Sequence, residues 1–169
     1  MITAREIAVK VLADVERLDS YSNLAADSRI KDAGLSKLDS ALAVAIIYGV
    51  LQRRLTLLWV LKSVCDKGVN KIHPFVLNVL IVGVYQILFM DKIPQSAAVN
   101  ESVNIIKKSK QRFAAGFVNA VLRKVARQKD AILKEIDNSN DYEVKYSCPK
   151  ELAKSFVDDY GIDNATNFL

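Results

Sequence analysis

The chain is 169 residues long, 51% hydrophobic and 25% charged, which suits one domain with its own core and excludes a disordered or low-complexity chain. Its net charge of +5 conceals an asymmetry, because residues 1–129 carry 20 Lys and Arg against 10 Asp and Glu, while residues 130–169 carry 4 against 9. A basic body suits a polyanionic partner, and an acidic tail suits a linker or the edge of another unit. Two cysteines, Cys65 and Cys148, lie far apart without a second pair. They fit free thiols in a reducing cytoplasm and not a disulfide framework.

Apolar residues recur every three or four positions and no run alternates for long enough to build a sheet, so an all-α bundle of about seven helices is predicted. Thr3 and Glu6 have the spacing of a capping box and open a first helix, with Ile7, Val11, Leu12 and Val15 as its buried stripe. A second helix runs from about Ser22 to Ala33, closed by Gly34 in a left-handed conformation. A third starts at Ser36 and continues to Arg53 and Arg54, and a fourth covers Leu57 to Cys65, ending near Gly68. Pro74 opens a fifth, FVLNVLIVGVYQILFM, which is apolar on nearly every face and therefore central. Gly83 inside it costs about 1 kcal/mol of helix propensity, which a close helix crossing would offset.

Pro94 precedes a sixth helix from about Gln95 to Ser109, and a seventh runs from about Arg112 to Gln128. Residues 1–129 are thus one domain. Residues 130–145 read as a linker with a polar break at Asp137 to Asp141, and residues 146–169 as the start of a further domain. There Pro149 opens a partial helix with Leu152, Phe156 and Val157, and the pattern stops at Phe168 and Leu169 as in a piece of a longer protein. The apolar stretch from Pro74 to Met90 is shorter than the ~20 residues of a spanning helix and carries Asn78 and Gln86, and the opening MITAREIAVK is charged, so neither membrane nor signal peptide is expected.

Catalytic chemistry has little to work with. His73 is the single histidine and stands before Pro74 as a cap or surface residue, and no metal-ligand cluster or glycine-rich phosphate loop is present in the sequence. Cys148 has only Lys145 and Lys150 nearby to lower its pKa. No catalytic residue, cofactor or metal is therefore expected within these residues. Asn100 and Glu101 read as hydrogen-bonding groups between helices, and Trp59 and Tyr48 as core.

The cations have usable geometry. At 100° per residue Arg123 lies about 20° round from Arg112 and Arg127 about 40° further, so three guanidinium groups share a face of the seventh helix with Gly116, Asn119 and Ala120. Phe113, Phe117, Val121 and Val125 are expected to face the core. Lys107, Lys108, Lys110 and Lys124 extend the charge, and Arg5 and Lys10 form a basic N-terminal end able to reach an RNA backbone. A plainly solvated helix face would look the same, and cations at a helix C-terminus, Arg53 and Arg54 included, also follow from the macrodipole.

Five blocks, YGVLQRR at 48–54, GVYQILF at 83–89, KIP at 92–94, AAVNESV at 97–103 and GFVNAVLRK at 116–124, together resemble the NusB-type RNA-binding fold over roughly residues 3–128. Within it the chain is most similar to the N-terminal domain of the RsmB (Sun or Fmu) family of 16S ribosomal RNA cytosine-C5 methyltransferases. The sequence from Ser22 to Leu24, Gln86 after Tyr85, and YSCPKELAKSFVDDYG at 146–161 carry that preference, with Glu151 departing from the tryptophan more usual there. The resemblance implies an RNA-binding domain that positions 16S rRNA for an S-adenosylmethionine-dependent catalytic domain absent from this chain, with the fragment itself inactive. Its partners would be that rRNA and its own methyltransferase domain, in the cytoplasm. The alternatives are a NusB-type antitermination factor that binds RNA with a ribosomal protein, and a protein-docking module.

Overall fold

The computed structural model describes residues 2–18, 23–66 and 68–149. These form eight α-helices: α1 (Ala4–Leu18), α2 (Asn23–Asp32), α3 (Lys37–Val64), α4 (Pro74–Phe89), α5 (Gln95–Lys107), α6 (Ala115–Arg127), α7 (Lys129–Asn138) and α8 (Tyr142–Tyr146), with 3-10 turns at Val69–Lys71 and Arg112–Ala114 and no strand among the described residues. The expected helix at Leu152, Phe156 and Val157 lies outside the described residues, as does Ser22.

The all-apolar helix is the axis of the bundle. α4 packs against α1, α3, α5, α6 and α7, and Val79, Leu80, Ile81, Val82, Val84 and Ile87 are all buried. Gly83 fulfils the expected close crossing, since a Cβ there would come within 2.7 Å of Leu122 Cδ1 and 3.0 Å of Ser102 Oγ. Gly49 on α3 does the same for the Tyr85 ring, which a Cβ would overlap.

Helix ends follow the predicted chemistry. Thr3 Oγ1 accepts from the Glu6 amide at 3.2 Å and Ser36 Oγ from the Asp39 amide at 3.1 Å. Gly34 adopts φ 65° just beyond α2, and His73 caps α4 through Nδ1, which accepts from the Phe75 amide at 3.1 Å. The capping box is only half made at Glu6, whose carboxylate pairs with Lys108 Nζ at 3.0 Å instead. α1 buries Ile7, Val11 and Leu12 as its spacing requires.

Three expectations are corrected. The third and fourth predicted helices are one 28-residue helix, α3, which passes through Arg53, Arg54 and Thr56 without a break. The polar run that reads as an interruption is where a distant segment docks: Thr56 Oγ1 donates to the Val144 carbonyl at 2.7 Å, and the Leu55 amide donates to Ser147 Oγ at 2.8 Å. Residues 130–145, expected as a linker, hold α7 and α8, which bury Ile132, Ile136 and Val144 in the same core. By length and composition alone α3 could cross a bilayer, but Ile46, Ile47, Val50, Leu57 and Leu61 are buried by its neighbours.

The third correction concerns α6. Its core stripe is Val118, Val121, Leu122 and Val125, not one beginning at Phe113. Arg112 and Phe113 lie in the preceding 3-10 turn, out of phase with the helix, and Phe113 is 81% exposed. Phe117 sits about 100° round from Val118, at the edge of the buried stripe, and is 39% exposed.

Candidate nucleic-acid interface

α6 is amphipathic because its apolar positions fall at three- and four-residue steps, and the same arithmetic gathers Gly116, Asn119, Ala120, Arg123 and Arg127 on the other side. All are exposed except the half-buried Asn119. Arg123 Nε donates to Asn119 Oδ1 at 3.0 Å, which holds the guanidinium along the helix. Facing this stripe, α5 presents Asn100, Asn104 and Lys107, four and three residues apart and all exposed. Between the two helices lies a groove of about 580 Å³, bounded by these three residues and by Gly116 and Asn119. Nothing lies within 4 Å of where a Gly116 side chain would begin, so the helix backbone is open to a close approach.

Chemically the groove offers carboxamides that both donate and accept, one ammonium and one guanidinium, which suits a phosphodiester backbone with polar base edges beside it. Asn104 was not anticipated, and Asn100 was expected between helices. Their spacing with Lys107, at i, i+4 and i+7, was the available signal.

The other expected cations divide. Lys10, Lys110 and Arg112 are exposed on α1, on the α5–α6 connection and in its 3-10 turn, so Arg112 precedes α6 and is not part of that helix. Lys108 is exposed but paired with Glu6. Lys124 is half-buried, with Nζ 3.4 Å from the Val64 carbonyl at the end of α3. Arg5 is no mobile end: it is half-buried in α1, and its Nε donates at 2.6 Å to Oε1 of Gln86, whose Nε2 donates to the Val82 carbonyl at 3.0 Å. Burial lowers the Arg5 pKa, and the charges of Glu101 and Asp39 oppose that shift.

A second hollow of about 380 Å³ lies where the end of α3 meets the start of α4, with Cys65, Ile72, His73, Phe113 and Phe117 on its walls. Burial raises the thiol pKa of Cys65, and Asp66 adds to the rise. Burial also raises that of Cys148. Both are protonated at neutral pH and poor nucleophiles. Of the aromatic residues expected in the core, Trp59 packs there, whereas Tyr48 is 42% exposed.

The NusB family model matches residues 2–127, three quarters of the chain, from α1 to the end of α6. The chain belongs to the NusB family. Among its relatives, the "Probable ribosomal RNA small subunit methyltransferase B" of Bacillus subtilis is 34% identical over 164 residues, 96% of this chain and 36% of that protein. The protein of the same name from Synechocystis is 30% identical over 162 residues, 95% of this chain and 36% of that protein. The "Transcription antitermination protein NusB" of Ruminiclostridium cellulolyticum is 32% identical over 125 residues, 73% of this chain and 86% of that protein. The NusB-family chain thus spans about a third of the length of these methyltransferase relatives. They match it over a stretch longer than residues 2–127.

Proposed function

We propose that this NusB-family domain holds small-subunit ribosomal RNA for a methyltransferase of which it is one part. The observation that carries the reading is the α5–α6 groove, where Lys107 and Asn119 flank an open backbone at Gly116 and Arg123 is bonded to Asn119 at its edge. The mechanism is positioning. Lys107, Arg123 and Arg127 grip backbone phosphates through charge-assisted hydrogen bonds, Lys10, Lys110 and Arg112 add longer-range attraction, and the asparagines hold sugar or base-edge atoms. Register on the RNA is fixed here. Base selection falls to the catalytic part.

The methyltransferase relatives align over 95–96% of the chain and the antitermination relative over 73%, which favours the former as the model for the whole protein. In this reading the full protein works in the cytoplasm and transfers the methyl group of S-adenosylmethionine to C5 of a cytosine in 16S rRNA. Neither the α5–α6 groove, walled by amides and a lysine, nor the Phe113 hollow, which has no carboxylate to hold ribose hydroxyls, fits that cofactor. In this reading methyl transfer belongs to the part of the longer methyltransferase relatives that this chain does not span.

The test is binding of the chain to a helix-junction fragment of small-subunit rRNA across a salt series, with a Lys107→Ala, Arg123→Ala, Arg127→Ala variant alongside. Loss of three phosphate contacts lowers the slope of log affinity against log salt by about 2–3 units. Tight binding that the variant retains in full would reject the groove. A second reading, intramolecular protein docking, is favoured by the exposed Phe113 and Phe117, and it predicts unchanged RNA affinity in that variant.

A further inference from the structure

The family match ends at Arg127, yet the polypeptide does not leave the bundle there. α7 runs back over α4 and α6 and buries Ile132 and Ile136, and α8 then lies on α3 with Val144 buried. Asp141 caps α8 by accepting from the Glu143 amide at 2.9 Å. Ser147 follows in a left-handed conformation, φ 53°, and the Cys148 amide donates to the Tyr142 carbonyl at 3.2 Å, so the chain turns sharply at this point.

Two hydrogen bonds then tie the turn to the middle of α3. Thr56 Oγ1 donates to the Val144 carbonyl at 2.7 Å in a buried setting, and Ser147 Oγ accepts from the Leu55 amide at 2.8 Å. A mid-helix amide normally belongs to the carbonyl four residues back. Its engagement from outside marks α3 as built to receive this turn. A flexible connector would bury no residues and bond no helix backbone.

We propose that α7, α8 and the Ser147 turn form a clamp that fixes the chain to the middle of α3, so that the segment up to Pro149 is held at one defined point of the bundle. Thr56 and Ser147 are its positioning residues. α7 touches α6 as well as α4, but no clamp residue lines the α5–α6 groove, so the clamp works whether or not the groove binds RNA. Its consequence is rigid transmission: a partner held on α5 and α6 keeps a fixed relation to the Ser147 turn.

Hydrogen exchange on the intact chain tests this, comparing parent, Thr56→Val, Thr56→Ser and Ser147→Ala. The clamp requires protected amides from Val144 to Cys148 in the parent and in Thr56→Ser, which keeps the hydroxyl. It requires roughly ten-fold faster exchange there in Thr56→Val and Ser147→Ala, with α4 amides unchanged. Ser147 lies on the clamp and not in the bundle, so Ser147→Ala remains decisive should Thr56→Val loosen α4. Unprotected amides in the parent, or a Ser147→Ala variant that exchanges like the parent, would overturn the proposal.

Discussion

Arg5 and Arg123 carry the same guanidinium and were expected to do the same work, but the seam between α1 and α4 and the groove between α5 and α6 use them in opposite ways. In the seam, Arg5 answers the carboxamide of Gln86, which is fully buried and would otherwise hold an unsatisfied acceptor in an apolar core. In the groove, Arg123 bonds only a neighbour on its own helix and stays exposed. Cations are committed first to the polar needs of the fold, and only the remainder is available to a partner. Counting Lys and Arg along a sequence overstates the binding surface for that reason. Lys124, held near the Val64 carbonyl, and Lys108, paired with Glu6, belong with Arg5.

Four substitutions sharpen or break the contrast. The reference for a purely structural loss is Leu122→Ala, which empties the contact with Gly83 and should cost about 2–5 kcal/mol by denaturant unfolding. Gly83→Val over-packs the same crossing and should cost about 1–3 kcal/mol in the same measurement. Arg5→Ala strands Gln86 Oε1 and should cost about 1–3 kcal/mol, while RNA affinity of the folded chain stays within two-fold of the parent at 150 mM salt. A ten-fold loss of affinity there would erase the distinction between seam and groove. The smallest stability effect belongs to Arg123→Ala, within about 0.5 kcal/mol. Its mark should instead be a salt slope shallower by about one unit.

The fold was legible where one physical signal dominated. α4 could be located and placed at the centre because every face of it is apolar, and the glycine within it announced the crossing that Leu122 and Ser102 make. The caps at Ser36 and His73 and the turn at Gly34 follow from local chemistry alone. What escaped depended on sequence-distant partners. Thr56 reads as an interruption of a helix unless Val144 is known to accept its hydrogen bond 88 residues away. Phe113 and Phe117 read as core because four-residue spacing extends the Val121 and Val125 pattern backwards, and nothing local says that the first turn is 3-10. Of the groove, the α6 face was legible from its period, whereas of the α5 wall only Lys107 was. Asparagines serve equally well between helices or facing solvent, and only the packing of α5 on α6 decides.

Both cysteines of this chain are buried, and burial raises the pKa of each thiol, which slows thiol-directed reagents at both. A cysteine introduced at the exposed Ala120, one turn from Arg123 and Gly116 on the groove face, would therefore take up a fluorophore or spin label faster than either native thiol. The protein comes already prepared for reporting, in real time, what arrives between α5 and α6.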